Sequence, residues 1–167
     1  VVSGMVKTFS DRRLDDAEGI YAATLDAHPN DALAWLLKGM VHAFRGEGAQ
    51  AVQHARRASE LSPLDPIRYY FDSLGASAEA AAGNYEQAVL LAQRSLRANA
   101  MHASTLRILT IAYAMLDRMP EARQIVQRML ALEPDFSVGR FLARSPAAEF
   151  PIGRTFADAL VRAGVPR

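Results

Sequence analysis

An alanine returns at positions 17, 51, 88 and 122, and a turn residue returns at Pro29, Pro63, Ala100 and Pro134. Both series advance in steps of 34, 37 and 34 residues. Two independent markers on one ladder mean that the chain is built from repeated units. A period of this size belongs to supersecondary modules that stack and cover each other's apolar faces. The units read as Val1–Asp31, short at its front, then Ala32–Asp65, Pro66–His102 and Ala103–Phe136, with residues 137–167 left over. Alternating β-branched stretches are scarce, so no sheet is expected. The expected fold is all-α: an α-solenoid of antiparallel helix pairs, about four units and a C-terminal cap, forming one domain over residues 1–167.

The chemistry within each unit agrees. Asp11–Arg13, Gly46-Glu47-Gly48, Gly83-Asn84 and Asp117-Arg118-Met119 supply turns inside the units, with Pro120 suited to the first turn of the helix that follows. Asp15-Asp16 open a helix, where their charge suits the helix dipole. Ala51, Ala55 and Ala58 share one helical face and let paired helices approach closely. The third unit carries three extra residues between Pro63 and Ala88. They are expected to lengthen its first helix, with Asp65 as cap and Pro66 as start, placing Tyr69, Tyr70 and Phe71 at an aromatic end. Asp72 and Glu79 then fall near core positions. An unpaired buried carboxylate is costly, so both are expected to turn toward water. Beyond Phe136, a short helix is expected over Ser137–Ala143, an irregular stretch over Ser145–Gly153, and a last helix over Arg154–Ala163. Phe156, Ala159, Leu160 and Ala163 face inward in that helix, Gly164 stops it, and the tail caps the solenoid.

The second unit resembles the tetratricopeptide repeat, a helix pair of about 34 residues with a W-x2-L-G-x2-Y pattern, small residues on the second helix and a closing proline. Trp35, Gly39, His42, Ala51, Ala55, Ala58 and Pro63 carry the likeness. In that pattern Trp35 is a packing residue rather than a stacking platform for a ligand. The resemblance implies that the first helix of each unit lines a concave groove. Carried over by position, the groove presents Val2, Val6 and Phe9, then Leu33, Leu36, Met40 and Phe44. Tyr70, Ser73 and Ser77 follow, and then Ser104, Arg107, Ile111 and Met115. The Lys/Asn clamp that some members use for a carboxylate is replaced here by Leu36, Met40 and Ser73. An apolar groove with one arginine suits an amphipathic or hydrophobic protein segment, whether from a partner, an upstream part of the same protein or a second copy. More narrowly, LSPLDP (61–66), the aromatic helix after it, GNYEQA (83–88) and LVRAGVP (160–166) resemble the C-terminal repeats of bacterial signalling proteins. There, such repeats follow a cyclase or winged-helix domain. That resemblance implies a regulatory or interaction region. A composition of 2 lysines against 17 arginines fits a GC-rich bacterial gene.

Little else in the sequence suggests chemistry. Net charge is +1, which gives no general affinity for nucleic acid or acidic membranes. There is no cysteine, hence no disulfide, thiolate site or cysteine nucleophile. His28, His42, His54 and His102 show no metal-binding spacing and no acidic partner in sequence, and no phosphate loop, GxSxG or HExxH occurs. No metal, cofactor or catalytic role is expected. No apolar run approaches the ~18 residues of a membrane span. No leader opens the chain, which points to a cytoplasmic protein, and Val1 in place of Met fits a fragment of a longer one. Arg57, Arg94 and Arg128 recur at one place per unit and are expected to form a solvent-facing ladder on the outer surface. Two other functions stay open. One is a small-molecule sensor built around Tyr70, Ser73, Ser77 and Arg107. The other is a dimerisation module.

Overall fold

The computed structural model describes residues 1–167 and contains helices and turns without strands. Helix α1 (Val2–Met5) runs on into a π-helical turn (Val6–Ser10), and α2 (Leu14–Ala27) returns antiparallel to it. Three pairs follow: α3 (Ala32–Arg45) with α4 (Gly48–Leu61), α5 (Arg68–Ala81) with α6 (Tyr85–Ala98), and α7 (Ala103–Met115) with α8 (Met119–Leu132). Each pair packs on the next. The chain ends with α9 (Val138–Arg144), a 3-10 turn (Pro146–Glu149) and α10 (Pro151–Ala163).

The turns inside the pairs share one backbone device. Arg12, Gly46, Gly83 and Asp117 all have positive φ, between 56° and 81°, and they stand on the same 34, 37, 34 ladder. A left-handed residue reverses the chain and lets its successors bond back to the helix, as in Glu47 N–H to His42 O (2.9 Å), Asn84 N–H to Glu79 O (2.8 Å) and Arg118 N–H to Tyr113 O (2.9 Å). Glycine adopts this conformation freely, whereas Arg12 and Asp117 are strained by it. Asp117→Gly should therefore stabilise the fold by about 0.5–1 kcal/mol, read as a raised urea midpoint.

The extra residues of the third unit do not lengthen its helix. Helix α5 has 14 residues, as α3 does, and the added length lies in the connection from Ser62 to Ile67. Asp65 does not cap the helix either. Its Oδ1 accepts Ile67 N–H (3.0 Å) and its Oδ2 accepts the Ser62 hydroxyl (2.9 Å), holding a turn that delays the helix until Arg68. Helix α5 thus keeps its register with the other first helices, and Asp72 and Glu79 stay at the core positions filled elsewhere by Trp35 and His42.

Both carboxylates are buried, contrary to the sequence expectation, at 2% and 5% exposure. They tolerate it because they are partnered. Arg94 donates to Asp72 from Nε (2.7 Å) and Nη2 (2.5 Å), and Arg68 donates from Nε (3.1 Å). Arg94 therefore leaves the expected outer ladder and turns its fork down onto α5. Asn84 donates to Glu79 (2.7 Å), with Arg56 3.6 Å away. The same five-residue spacing joins His42 to Glu47 (2.5 Å) and sets the Arg118 guanidinium 4.7 Å above the Tyr113 ring. Three chemically different pairs thus fasten the same turn in successive units.

His42 also lies 3.6 Å from Glu18, so it has two acidic neighbours that sequence spacing did not show. Its ring stands 5.1 Å from that of His54, which leans at 5.2 Å on Trp35. Trp35 is the packing residue its position implied, and its indole N–H bonds Pro29 O (2.8 Å) in the preceding connection. Burial lowers the His54 pKa from 6.5 to about 4, with the His42 and Lys38 charges adding to it and Glu18 opposing, and its Nδ1 has no partner. Below pH 6.5 the unfolded chain takes up a proton here that the folded chain refuses until about pH 4. Stability is therefore intact above pH 6.5 and falls on acidification toward pH 4. We expect a loss of about 2 kcal/mol across that window from this ring. His54→Gln should remove that part of the slope when urea midpoints are compared at pH 7 and pH 4.5.

The core divides into two clusters. One joins α2 to α5 and contains Tyr21, Leu37, Val41, Ala51 and Phe71. The other joins α5 to α10 and contains Leu106, Leu109, Met129, Phe156 and Leu160. Helix α5 contributes to both, Leu74 and Ala78 to the first and Ala76 and Ala80 to the second, so it ties the two halves together.

Candidate interaction groove

Helices α3, α5 and α7 lie side by side and form the inner face. The C-terminal tail does more than cap it. Helix α10 begins three residues earlier than expected, with Pro151 in its first turn, because Pro151 needs no N–H partner there. It packs on α7 and α8 and also reaches α3, and the 3-10 turn before it touches α3 as well. A Cβ placed on Gly46, at the end of α3, would sit 3.6 Å from Ile152 near the start of α10, while Arg162 near its end donates to Ala114 O at the end of α7. The helix therefore spans the inner face from α3 to α7. Arg12, in the first turn, donates to Ala143 O (3.2 Å) and joins the two ends of the chain.

Between this tail and the inner face lies a cavity of about 510 Å³. Phe9, Met40, Phe44, Ser77, Arg107 and Ile111 of the expected groove line it, with Ser104 beside them. Phe9 and Phe44 meet edge to face at 5.9 Å. Leu36 and Ser73 are buried between helices and, unlike the equally buried Ile111, do not line the cavity. Leu33 and Tyr70 are half-buried and pack on the first core cluster, Met115 packs on the second, and none of these three lines the cavity. Val2 and Val6 lie exposed at the front of the chain, outside the cavity. Of the four residues considered for a sensor, only Ser77 and Arg107 reach the cavity.

Sequence reasoning missed the far wall. It consists of Glu133–Phe136, then Arg140, Phe141 and Arg144 of α9, Ser145–Ala147, and Phe156 of α10. Val138, Phe141 and Leu142 give α9 an apolar side, but nothing local says which surface such a short helix will face. Arg107 sits at the polar end. It donates to Glu133 (3.2 Å) and to the Ser104 hydroxyl (2.8 Å), and lies 5.6 Å from the Phe136 ring centre. Burial lowers its pKa, Glu133 opposes this, and the nearby Arg144 charge adds to it.

This arrangement defines a class: a helical-repeat protein of stacked antiparallel helix pairs with a cavity on its inner face. A family model for the tetratricopeptide repeat matches residues 9–66 and 74–135, and the chain belongs to that family. Among solved structures, MamA is 20% identical, with 96% of this chain and 91% of MamA covered and a TM-score of 0.64. YrrB, described as a TPR protein with an unusual peptide-binding site, is 15% identical, with 96% and 80% covered and a TM-score of 0.60. At these identities the likeness is one of fold. No curated protein sequence matches the chain. No helix is long and apolar enough to cross a membrane.

Proposed function

We propose that the chain is a non-catalytic scaffold that holds an apolar protein segment in its inner groove. The single observation that carries this reading is the apolar cavity on the face where the repeats line up their first helices, with Phe9, Met40, Phe44 and Ile111 on its wall. Membership of the tetratricopeptide repeat family supports a protein or peptide partner, as does the peptide-binding site for which YrrB is described. The segments LSPLDP, GNYEQA and LVRAGVP support a place as the regulatory, cytoplasmic region of a larger bacterial signalling protein. A helix about 10 Å across fills roughly 420 Å³ per turn. With the tail seated, a cavity of about 510 Å³ thus takes about one turn of a partner, that is, two or three anchoring side chains.

Peptides selected by the protein from a random library should be rich in apolar residues. Phe44→Glu should weaken their binding at least tenfold, about 1.4 kcal/mol, in fluorescence polarisation with helicity unchanged. Undiminished binding by that variant would place the partner elsewhere. Met40 is a poorer site for the same charge, because it is 7% exposed and a buried carboxylate would unfold the pair it belongs to.

A further inference from the structure

The polar end of the cavity has an unbalanced charge. Three arginines line it, Arg107, Arg140 and Arg144, against two carboxylates, Glu133 and Asp135. Arg107 pairs with Glu133 (3.2 Å) and Arg140 lies 3.6 Å from Asp135. The Arg144 side chain makes no ion pair or hydrogen bond, and it lines the same cavity as Arg107. An unpaired guanidinium at the rim of the cavity, beside one that is mostly buried, gives this end a positive potential that a bound anion would neutralise. The surplus is one positive charge, and the two carboxylates at the same rim would repel a multiply charged anion. Planar guanidinium forks match the two oxygens of a carboxylate. The rest of the wall is aromatic and aliphatic, including Phe9, Phe44, Ile108, Phe141 and Phe156. A cavity of about 510 Å³ lies within the roughly 300–1,000 Å³ range of small-molecule sites.

We propose that this cavity binds a small amphiphile, a molecule with an apolar chain and a single carboxylate, whose head is held between Arg107 and Arg144 and whose chain lies along the aromatic wall beneath the C-terminal tail. The ligand would occupy the same cavity as the proposed peptide, so the two readings are told apart by competition. Arg144 is suited to a test because it is exposed and bonded to nothing, so replacing it leaves the fold intact.

The experiment is isothermal titration of the whole chain with dodecanoate below its micellar range, with dodecanol and acetate as controls. Dodecanoate should bind one to one and at least tenfold more tightly than dodecanol, and acetate should give no heat. Arg144→Ala should weaken dodecanoate at least tenfold and leave dodecanol unchanged. No binding of dodecanoate would overturn the proposal. So would equal affinity for dodecanoate and dodecanol, or dodecanoate binding unaffected by Arg144→Ala, because each would mean apolar partition without a head-group site. Library peptides titrated on the same variants separate the two readings. Peptides that bind while dodecanoate neither binds nor competes would sink the amphiphile and leave the scaffold standing.

Discussion

Arg94→Ala should destabilise the protein by about 3 kcal/mol, far more than removal of an exposed arginine usually costs. The reason lies in its partner. Asp72 is 2% exposed in α5, the helix shared by both core clusters, and two of its three hydrogen bonds come from Arg94. Without Arg94 the carboxylate keeps one bond, from Arg68 at 3.1 Å, in a place water hardly reaches. Breaking a buried pair from one side leaves that desolvation uncompensated, which is the costly case. The Arg94 side chain is itself 48% exposed, which admits some water and holds the loss to the lower end of the usual range. The double variant Asp72→Ala/Arg94→Ala should cost clearly less than the sum of the two single changes, since neither partner is left behind. Urea denaturation of the four proteins decides it. If Arg94→Ala lies within 0.5 kcal/mol of the parent, about the size of an ordinary surface change, Asp72 does not depend on this pair.

Gly153→Ala should release the tail from the inner face. A Cβ on Gly153 would overlap the Ala147 carbonyl oxygen and sit 2.6 Å from the Ala147 carbonyl carbon and 3.0 Å from Ala148 Cα. All three are backbone atoms of the 3-10 turn, so no side chain can move aside, and α10 must lift away from the turn. Alanine is the better helix former by about 1 kcal/mol, but overpacking against fixed backbone costs about 1–3 kcal/mol, plus what is lost when Phe156 and Leu160 loosen. The net expectation is a loss of about 2 kcal/mol, concentrated in the tail. Hydrogen exchange should quicken over residues 146–163 and stay unchanged in α3 and α4. Unchanged exchange in the tail would mean that it is not seated as described. Because the tail forms the far wall of the cavity, the same variant should also weaken any ligand that needs a closed site.

The left-handed turns show how far local chemistry reaches. Gly46 and Gly83 announce their positions by residue type, and the spacing then locates Arg12 and Asp117, whose types announce nothing. The burial of Asp72 and Glu79 was not readable in this way. A carboxylate at a core position is stable only if a partner comes to it, and Arg94 comes from the neighbouring helix, 22 residues away. The extra residues before α5 misled for a related reason. Pro66 can begin a helix, but Asp65 closes a turn first, and that outcome depends on hydrogen-bond geometry that residue order does not encode.

The candidate site divides along the same line. Phe9, Met40, Phe44, Ser77, Arg107 and Ile111 follow from the repeat register, because a helix presents one face to its neighbour and the register fixes which. Leu36 and Ser73 were placed on that face as well, but adjacent first helices pack closely enough to bury them. The sequence by itself determined the period, the helix pairs and the turns, since all of these arise within one unit or between neighbours. Only the tertiary structure decided that the tail crosses that face, that Arg144 of α9 and Arg107 of α7 line one cavity, and that a turn at Arg12 bonds Ala143, 131 residues away. Contacts at that separation carry no periodic signature. They depend on the summed curvature of four helix pairs, which brings the end of the chain back to its beginning.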